Sequence, residues 1–381
     1  MAQRAPQNRC RPALAVGVLL ALACGHSEPF TNPSTGTNQP FDPTPPVRLT
    51  LNEGPDRDPS WLPDGSGILY QAQQLGRADS DACLAELPPD GGTQRRLVCD
   101  LVPGDDGLTN AYVSPAAAPD DRLAFLSNRG TIQFLDNPTS PNDQALSVAP
   151  HLDAANAVTV QRLPYQLPGQ RPHNTVSQLQ WLGTGGLLYL AQASDVRRPC
   201  PMCPVDTMTT GMAVVTLTVE PPGQPTVIAT PGFPSGVAMG ASTDEIYYTL
   251  NGDSRVFRRT LSSGDEAVVF DFGPAAVARD VHVVGQRMAA VVGGRVHVVP
   301  DPTFGEVQRD SGGVIHVVDL TTGGDATLEQ DGLLFRHPVL SPSGERVVVE
   351  GYPLVIVADP VTETSDTTVS RRSDLYLFNA Q

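Results

Sequence analysis

The chain has 381 residues, including 35 Gly and 37 Pro, and only 17% of its residues are charged. So much Pro and Gly excludes a protein made mainly of long helices and favours many short strands joined by tight turns. The formal net charge is −16, and Lys is absent, so all 25 basic residues are Arg. A nucleic acid backbone or an anionic lipid surface would repel such an acidic chain, and we expect neither as a partner.

The first 23 residues have the pattern of an export signal. Three Arg among the first eleven residues precede the apolar run PALAVGVLLALA, which is too short to span a bilayer but fits the core of a signal peptide. The run ends in Ala21-Leu22-Ala23-Cys24, which resembles a bacterial lipoprotein signal, and Cys24 would then become the lipidated N-terminus. The same residues also fit ordinary secretory cleavage, so a secreted protein is the alternative.

The segment after the signal predicts a flexible tether. Residues 24–46 are rich in Pro, Ser, Thr and Asn, and two Phe are their only large apolar side chains. Such a segment cannot bury enough apolar surface to order itself. We therefore place the folded body at residues 47–381 and expect it to contact a membrane only through the lipid anchor.

Four cysteines remain in the folded body, and an even number in an exported chain favours disulfides. Cys83 and Cys99 lie in two strand-like runs on either side of the turn PPDGG, which predicts a disulfide across a hairpin. Cys200 and Cys203 form a CxxC in the loop RRPCPMCP, which we interpret as a disulfide that closes the loop. A redox or metal role stays open for this second pair, although no second CxxC or nearby His pair accompanies it.

A repeat extends through the whole body, and its sharpest copy is DPSWLPDGSGILYQA at residues 58–72. PAAAPDDRLAF, LQWLGTGGLLYL and PVLSPSGERVVV begin at residues 115, 179 and 338, and weaker copies begin near residues 237 and 281. The six turns recur at intervals of about 40 to 65 residues, a spacing typical of repeat architectures. The equivalent positions are Pro59, Pro63, Asp64 and Gly65 in the first copy, Pro115, Pro119, Asp120 and Asp121 in the second, and Pro338, Pro342, Ser343 and Gly344 in the last.

Each copy, with the β-prone runs that follow it, predicts four short antiparallel strands. A lone four-stranded sheet cannot cover both of its faces, whereas sheets packed radially bury them against one another. We therefore predict an all-β chain that folds as a six-bladed β-propeller of four-stranded antiparallel blades, with no second domain.

Turn chemistry explains the repeated residues. Pro sets φ at the first corner, Asp accepts hydrogen bonds from nearby backbone N–H groups, and Gly adopts positive φ. Asp121 and Ser343 replace members of this set, which predicts looser turns in their blades. Trp61 and Trp181, the only tryptophans, occupy equivalent places, and we predict that they pack between blades rather than stack on a ligand.

These residues resemble a known family. Asp58–Gly65 (DPSWLPDG), with Arg48–Thr50 (RLT) before it and Leu123–Arg129 (LAFLSNR) in the next copy, is similar to the WD40-like repeat of TolB-type six-bladed β-propellers. The resemblance implies that the segment before the first copy supplies the last strand of the final blade. Residues 47–51 would then pair with residues 373–380 and close the ring.

Nothing in the sequence predicts catalysis. The chain lacks a G-x-S-x-G nucleophile elbow, and without Lys it has no lysine chemistry. His282, His297 and His316 recur in VHVVG, VHVVP and IHVVD, but we interpret this as local sequence similarity within one blade. We therefore expect no metal and no cofactor.

The predicted function is binding of a protein or another macromolecule of the bacterial cell envelope by a monomeric, lipid-anchored propeller. The alternative is a lyase or hydrolase that acts on a polysaccharide or a small molecule in the central channel. A cluster of His, Arg and carboxylates at the channel would favour the enzyme, and a broad exposed apolar patch would favour the binding protein. Two insertions, at residues 295–313 and 352–372, are candidates for binding loops.

Overall fold

The computed structural model describes residues 46–51, 54–73, 82–99, 112–127, 144–167, 169, 172–173, 175–197, 206–293, 297–301, 305–309, 313–358, 365–369 and 372–380. Within these ranges it describes no side chain of residues 194–210, 294–312 or 355–371. The export signal, the tether, Cys24, Cys200 and Cys203 lie outside the described residues. In the described part of the chain no helix is long and apolar enough to cross a bilayer.

The described strands form a six-bladed β-propeller, and each blade is an antiparallel sheet. Blade one contains β2 (Asp56–Trp61), β3 (Ile68–Gln73), β4 (Ala82–Leu87) and β5 (Arg95–Val98). Blade two contains β6 (Tyr112–Ala117), β7 (Leu123–Ser127), β8 (Ala145–Ala149) and β9 (Val158–Arg162). A small hairpin of β10 (Tyr165–Gln166) and β11 (Pro172–His173) follows. Blade three contains β12 (Thr175–Leu182), β13 (Gly186–Arg197), β14 (Asp206–Thr218) and β15 (Thr226–Ile228).

The second half of the ring repeats this plan. Blade four contains β16 (Pro234–Met239), β17 (Glu245–Leu250), β18 (Arg255–Thr260) and β19 (Glu266–Asp271). Blade five contains β20 (Ala278–Val284), β21 (Arg287–Val292), β24 (Val314–Asp319) and β25 (Asp325–Leu328), with the hairpin β22 (His297–Asp301) and β23 (Gly305–Arg309) inserted after β21. Blade six contains β26 (Leu333–Leu340), β27 (Arg346–Ala358), β29 (Asp374–Asn379) and β1 (Val47–Arg48), and β28 (Ser365–Val369) pairs with the far end of β27.

Three long hairpins extend from the same face of the propeller. They are β13–β14, β22–β23 and β27–β28, and each interrupts the connection between the second and third strands of its blade. Because neighbouring strands are antiparallel, these connections all leave the face opposite the turns between first and second strands. We call it the hairpin face. Both predicted insertions lie on it, and the extension of blade three is one that the sequence analysis missed.

The N-terminal strand closes the ring, as the resemblance implied. In β1, Val47 and Arg48 pair with Leu377 and Tyr376 of β29. Beyond this short strand, the backbone N–H of Leu49 donates to the carbonyl of Leu375 over 2.7 Å. Arg48 also forms a 2.7 Å ion pair with Asp374. Blade six therefore takes its inner three strands from the end of the chain and its outermost strand from the beginning.

Apolar side chains fill the interface between every two neighbouring blades, where six buried clusters alternate with the six sheets. Trp61 lies in the cluster between blades one and six, and its indole N–H donates to the carbonyl of Val339 over 2.9 Å. Trp181 lies between blades two and three and donates to the carbonyl of Ala116, also over 2.9 Å. Both tryptophans thus link their own blade to the preceding one.

The turns between first and second strands show how the repeat tolerates substitution. Gly65, Asp121 and Gly344 all adopt positive φ, at 74°, 67° and 72°. Their N–H groups close the turns over 2.9, 3.1 and 2.8 Å, and so Asp121 takes the glycine conformation with little loosening. Ser343 accepts a hydrogen bond from the N–H of Glu345, as Asp64 does from Ser66. Both substituted turns therefore keep their hydrogen bonds, although the bonds at Asp121 and Ser343 are 3.1 and 3.3 Å long against 2.9 Å in the first copy, and looser turns in these two blades stay a prediction.

Cys83 and Cys99 lie at disulfide distance. Cys83 belongs to β4, and Cys99 directly follows β5, so the pair joins the third and fourth strands of blade one. The intervening turn contains the PPDGG sequence that suggested the pairing.

The non-covalent closure can be tested by truncation. A chain that begins at residue 52 lacks β1, the buried Leu49 and the Arg48–Asp374 ion pair, whereas a chain that begins at residue 47 keeps them. The loss of this burial and hydrogen bonding costs about 3–5 kcal/mol, which should lower the melting temperature of a propeller of this size by about 4–7 °C. Differential scanning calorimetry of the two chains measures the difference. Equal melting temperatures would show that β1 does not stabilise blade six.

Candidate functional site

The first strands of the six blades surround a central channel, and each strand has a β-bulge at an equivalent place. In five blades one bulge residue adopts left-handed φ between 44° and 51°, and these residues are Asp58, Ser114, Gln178, Asp280 and His337. Positive φ is uncommon for residues other than Gly. The left-handed φ recurs at one repeat position, which indicates that the bulges serve to orient these side chains toward the channel.

Blade four is the exception, because no residue of its bulge has left-handed φ. A glycine follows the bulge in this blade. Its bulge lies at Ser235, before Gly236. A Cβ atom on Gly236 would lie 2.7 Å from the backbone nitrogen of Asp280 and 2.8 Å from that of Val281. The absence of a side chain therefore allows blades four and five to approach closely.

The five bulge residues line one cavity in the channel, together with His282 and the residues that follow each bulge. The cavity and its open mouth enclose about 530 Å³. Pro59, Pro115 and Pro338 belong to its wall, although their sequence pattern indicated only turns and packing. A concave site with several converging polar groups is the usual form of a binding site.

Glu350 joins blades six and one beneath this cavity. It lies on β27 with a side chain only 1% exposed. Its Oε1 accepts hydrogen bonds from the backbone N–H of Asp58 over 2.6 Å and from Nδ1 of His337 over 2.7 Å. Its Oε2 accepts a 2.6 Å hydrogen bond from the hydroxyl of Tyr352. A buried carboxylate with three donors is well satisfied, and one of these donors belongs to the other side of the closing blade interface.

The charge states of His337 and Glu350 depend on each other. Burial alone would lower the pKa of His337, but Glu350, Asp280 and Asp58 raise it to about 10. Burial alone would raise the pKa of Glu350, but His337 and the hydrogen bonds from Tyr352 and Asp58 hold it at about 2. At neutral pH the pair is therefore an imidazolium and a carboxylate.

Two aspartates lie on either side of the His337 ring. Asp58 Oδ1 is 3.5 Å from Nδ1, and Asp280 Oδ2 is 3.9 Å from Nε2. Asp58 Oδ2 accepts a 2.9 Å hydrogen bond from Ser114 Oγ. Asp280 Oδ1 accepts a 2.8 Å hydrogen bond from Gln178 Nε2. Burial raises the pKa of Asp58. We call Asp58, Asp280, His337 and Glu350 the channel cluster, which sets three carboxyl groups against one imidazolium.

His282 is the second histidine of the cavity and is held neutral. Its Nδ1 accepts a 3.2 Å hydrogen bond from the backbone N–H of Leu340, which places the ring proton on Nε2. Burial lowers the pKa of His282 to about 4. At neutral pH His282 therefore offers an N–H donor and no charge.

The channel cluster has the composition of a metal site, since ligand atoms of Asp58, His337 and Glu350 lie within 4.8 Å of one another. The hydrogen bonds oppose this use. Both oxygens of Glu350 already accept hydrogen bonds, and Nδ1 of His337 carries the proton that bonds to Glu350. A metal ion would have to displace that proton and those donors. The arrangement therefore fits a protonated His337 better than a bound metal ion.

Two of the three histidines of the recurring HVV pattern, His282 and His316, lie on different strands of blade five. His282 lies in the first strand of blade five, whereas His316 lies in the third and bonds through Nδ1 to Asp325 over 2.8 Å. His297 lies in β22, and its side chain is outside the described ones. The interpretation as local sequence similarity is consistent with this placement of His282 and His316.

Sequence reasoning missed the channel cluster, although the repeat contained a signal for part of it. Asp58, Ser114 and His337 each stand directly before the first Pro of a copy. A position that is polar in these three copies and precedes a proline could have identified the bulge. Glu350 has no such signal, because it comes from a second strand and meets its partners only after the ring has closed.

No protein-family model matches the sequence, and no curated protein is similar to it. Solved structures share the fold. TolB from Acinetobacter baumannii is 14% identical, with a TM-score of 0.51, and the match covers 83% of this chain and 67% of TolB. A gluconolactonase from Xanthomonas campestris is 13% identical, also with a TM-score of 0.51, and the match covers 88% of this chain and 89% of the enzyme. At this level of identity, the likenesses show the propeller fold alone.

The raised pKa of His337 predicts a loss of stability on the alkaline side. A pKa that is 6.5 in the unfolded chain and about 10 in the folded one adds stability that is complete below pH 6.5 and disappears as the pH rises through 10. The chain has no Lys to titrate in this range. We expect the urea midpoint to fall between pH 7 and 10 and the fall to be much smaller in His337→Gln.

His151→Gln is the matched control, since His151 is exposed and lies outside the channel. This variant should keep the full alkaline decline. Urea titrations at intervals of one pH unit compare the three proteins. An identical slope for His337→Gln and the wild type would contradict the assigned charge state.

Proposed function

We propose that this protein is an exported binding protein of the bacterial cell envelope. It is attached through a lipid on Cys24, and its propeller recognises a protein or another envelope macromolecule. The observation on which this proposal depends is the fixed charge state of His337, His282 and Glu350 around the channel. General acid–base catalysis works best when the pKa of the catalytic group is close to the operating pH. Here the pKa of His337 is about 10, so its ring stays charged well above neutral pH. The pKa values of His282 and Glu350 are about 4 and about 2, so His282 stays neutral and Glu350 stays ionised well below neutral pH.

The shape of the propeller supports recognition of a large partner. Three long hairpins enlarge the hairpin face, and loops on a rigid scaffold are frequent binding elements. Phe233, which is 61% exposed, lies in the connection between blades three and four and therefore on the same face. An exposed aromatic side chain of this kind is typical of an interface anchor.

The second candidate is an enzyme that acts in the channel on a polysaccharide or a small molecule, as a lyase or hydrolase. The observation in its favour is the pair of aspartates beside one cavity, together with the burial that raises the pKa of Asp58. A carboxylic acid and a carboxylate that face one substrate can act as acid and base. Turnover of such substrates that is lost in Asp58→Asn would favour this candidate.

The lipid anchor can be tested by one substitution. Cys24→Ser removes the only thiol at the end of the export signal, so we expect the protein to leave the membrane fraction and enter the soluble fraction. Cys10→Ser is the matched control, because Cys10 would be removed with the signal. Immunoblots of fractionated cells measure the distribution. Membrane association that survives Cys24→Ser would contradict lipid attachment at this residue.

Partner binding at the hairpin face can be tested by photo-crosslinking in intact cells. A photoreactive phenylalanine analogue at Phe233 should yield a cross-linked species of defined mass that mass spectrometry can identify. The same analogue at Val158, which is 65% exposed in the outermost strand of blade two, is the control and should yield little. Photochemistry is needed because amine-directed reagents have no Lys to react with. Absence of any product from position 233 would contradict the proposed binding face.

A further inference from the structure

The walls of the channel cavity are apolar, although its bulge residues are polar. The residues beside the bulges contribute aliphatic and proline side chains, namely Pro59, Pro115, Leu179, Val281, Pro338 and Val339. Such walls fit a chain of methylene groups, and long charged side chains commonly bury their methylene stems in this way.

The polar part of the cavity is negatively charged. Asp58, Asp280 and Glu350 face the single imidazolium of His337, which leaves the cluster with an excess of negative charge. Arg57, the cation next to Asp58 in the chain, attracts that aspartate but does not line the cavity. A ligand that brings one positive charge would reduce the excess.

One oxygen on each cavity aspartate has no short hydrogen bond. Asp58 Oδ1 has only the 3.5 Å approach of His337 Nδ1. Asp280 Oδ2 accepts one long hydrogen bond, of 3.5 Å, from the His337 backbone N–H and lies 3.9 Å from His337 Nε2. Charge-assisted hydrogen bonds are normally about 2.7–2.9 Å long. Within the described residues, neither oxygen has a contact of that quality. These two acceptors, on opposite sides of the His337 ring, can therefore receive donors from a ligand.

We propose that the cavity binds an aliphatic cation, that is, an ammonium or guanidinium group on a methylene stem. The stem would lie against the proline and aliphatic walls, and the cationic group would donate to Asp58 Oδ1 and Asp280 Oδ2. Such a group occurs on a Lys or Arg side chain of a protein partner and on a free polyamine. The inference rests on the proposed binding function and specifies its chemistry.

Isothermal titration calorimetry of the full-length protein tests this inference with cadaverine and with the amide of Nα-acetyl-lysine. 1,5-Pentanediol has the stem of cadaverine without its charges and should not bind. Asp280→Asn removes one charge and keeps an acceptor oxygen for Gln178, and we expect it to weaken amine binding by about 10-fold or more. Asp265→Asn removes the same charge from an exposed turn of blade four and should leave the affinity unchanged.

Asp58→Asn is a second variant with the same expected loss, and melting curves of all variants check that they are folded. Equal affinity of the wild type and both channel variants, or no binding of either amine, would overturn the inference. Binding of cadaverine but not of the lysine derivative identifies a free polyamine as the source, and the reverse identifies a protein side chain. A cross-link at position 233 together with no calorimetric binding of either amine would refute the cation site and leave the binding function intact.

Discussion

A propeller ring has to be closed between its first and last blades, and here no covalent bond is described at that interface. An apolar cluster around Trp61 fills the interface, and two sets of polar contacts add to it. On the outside, β1 pairs with β29 and Arg48 binds Asp374. On the inside, the buried carboxylate of Glu350 accepts the backbone N–H of Asp58. A buried carboxylate is costly unless it is paired and hydrogen-bonded, and so the inner contact requires the protonated ring of His337.

The need of Glu350 for a protonated His337 determines the chemistry of the channel. His337 neutralises Glu350 and at the same time lies between Asp58 and Asp280, so the histidine that stabilises closure also organises the cavity. Its ring stays protonated near neutral pH, because the neighbouring carboxylates raise its pKa to about 10. The surplus carboxyl groups remain as acceptors, and the proposed recognition role uses them in this way. The solved propellers with a similar fold include a protein called TolB and a gluconolactonase, so the architecture alone does not separate these two roles.

Most of the fold could be predicted from the sequence because its determinants are local. Pro63, Asp64 and Gly65 form a turn wherever they stand together, and an apolar strand beside such a turn predicts a hairpin. Repetition of the hairpin then indicates the blades. The site could not be predicted in this way. The sequence predicts a regular strand at Asp58, whereas in the structure this residue lies in a bulge and has left-handed φ. Its partner Glu350 is 292 residues away in the chain. Only the closed ring brings them together.

The closing strand also determines how a mechanical load would enter the molecule. β1 is the outermost strand of blade six and begins at residue 47, directly after the segment predicted to be a tether. A pulling force transmitted from the N-terminal side would therefore reach this two-residue strand before any other part of the propeller. The pairing of β1 with β29 would thus be the first contact to bear such a load, and a partner that contacts both blade one and blade six would reinforce it.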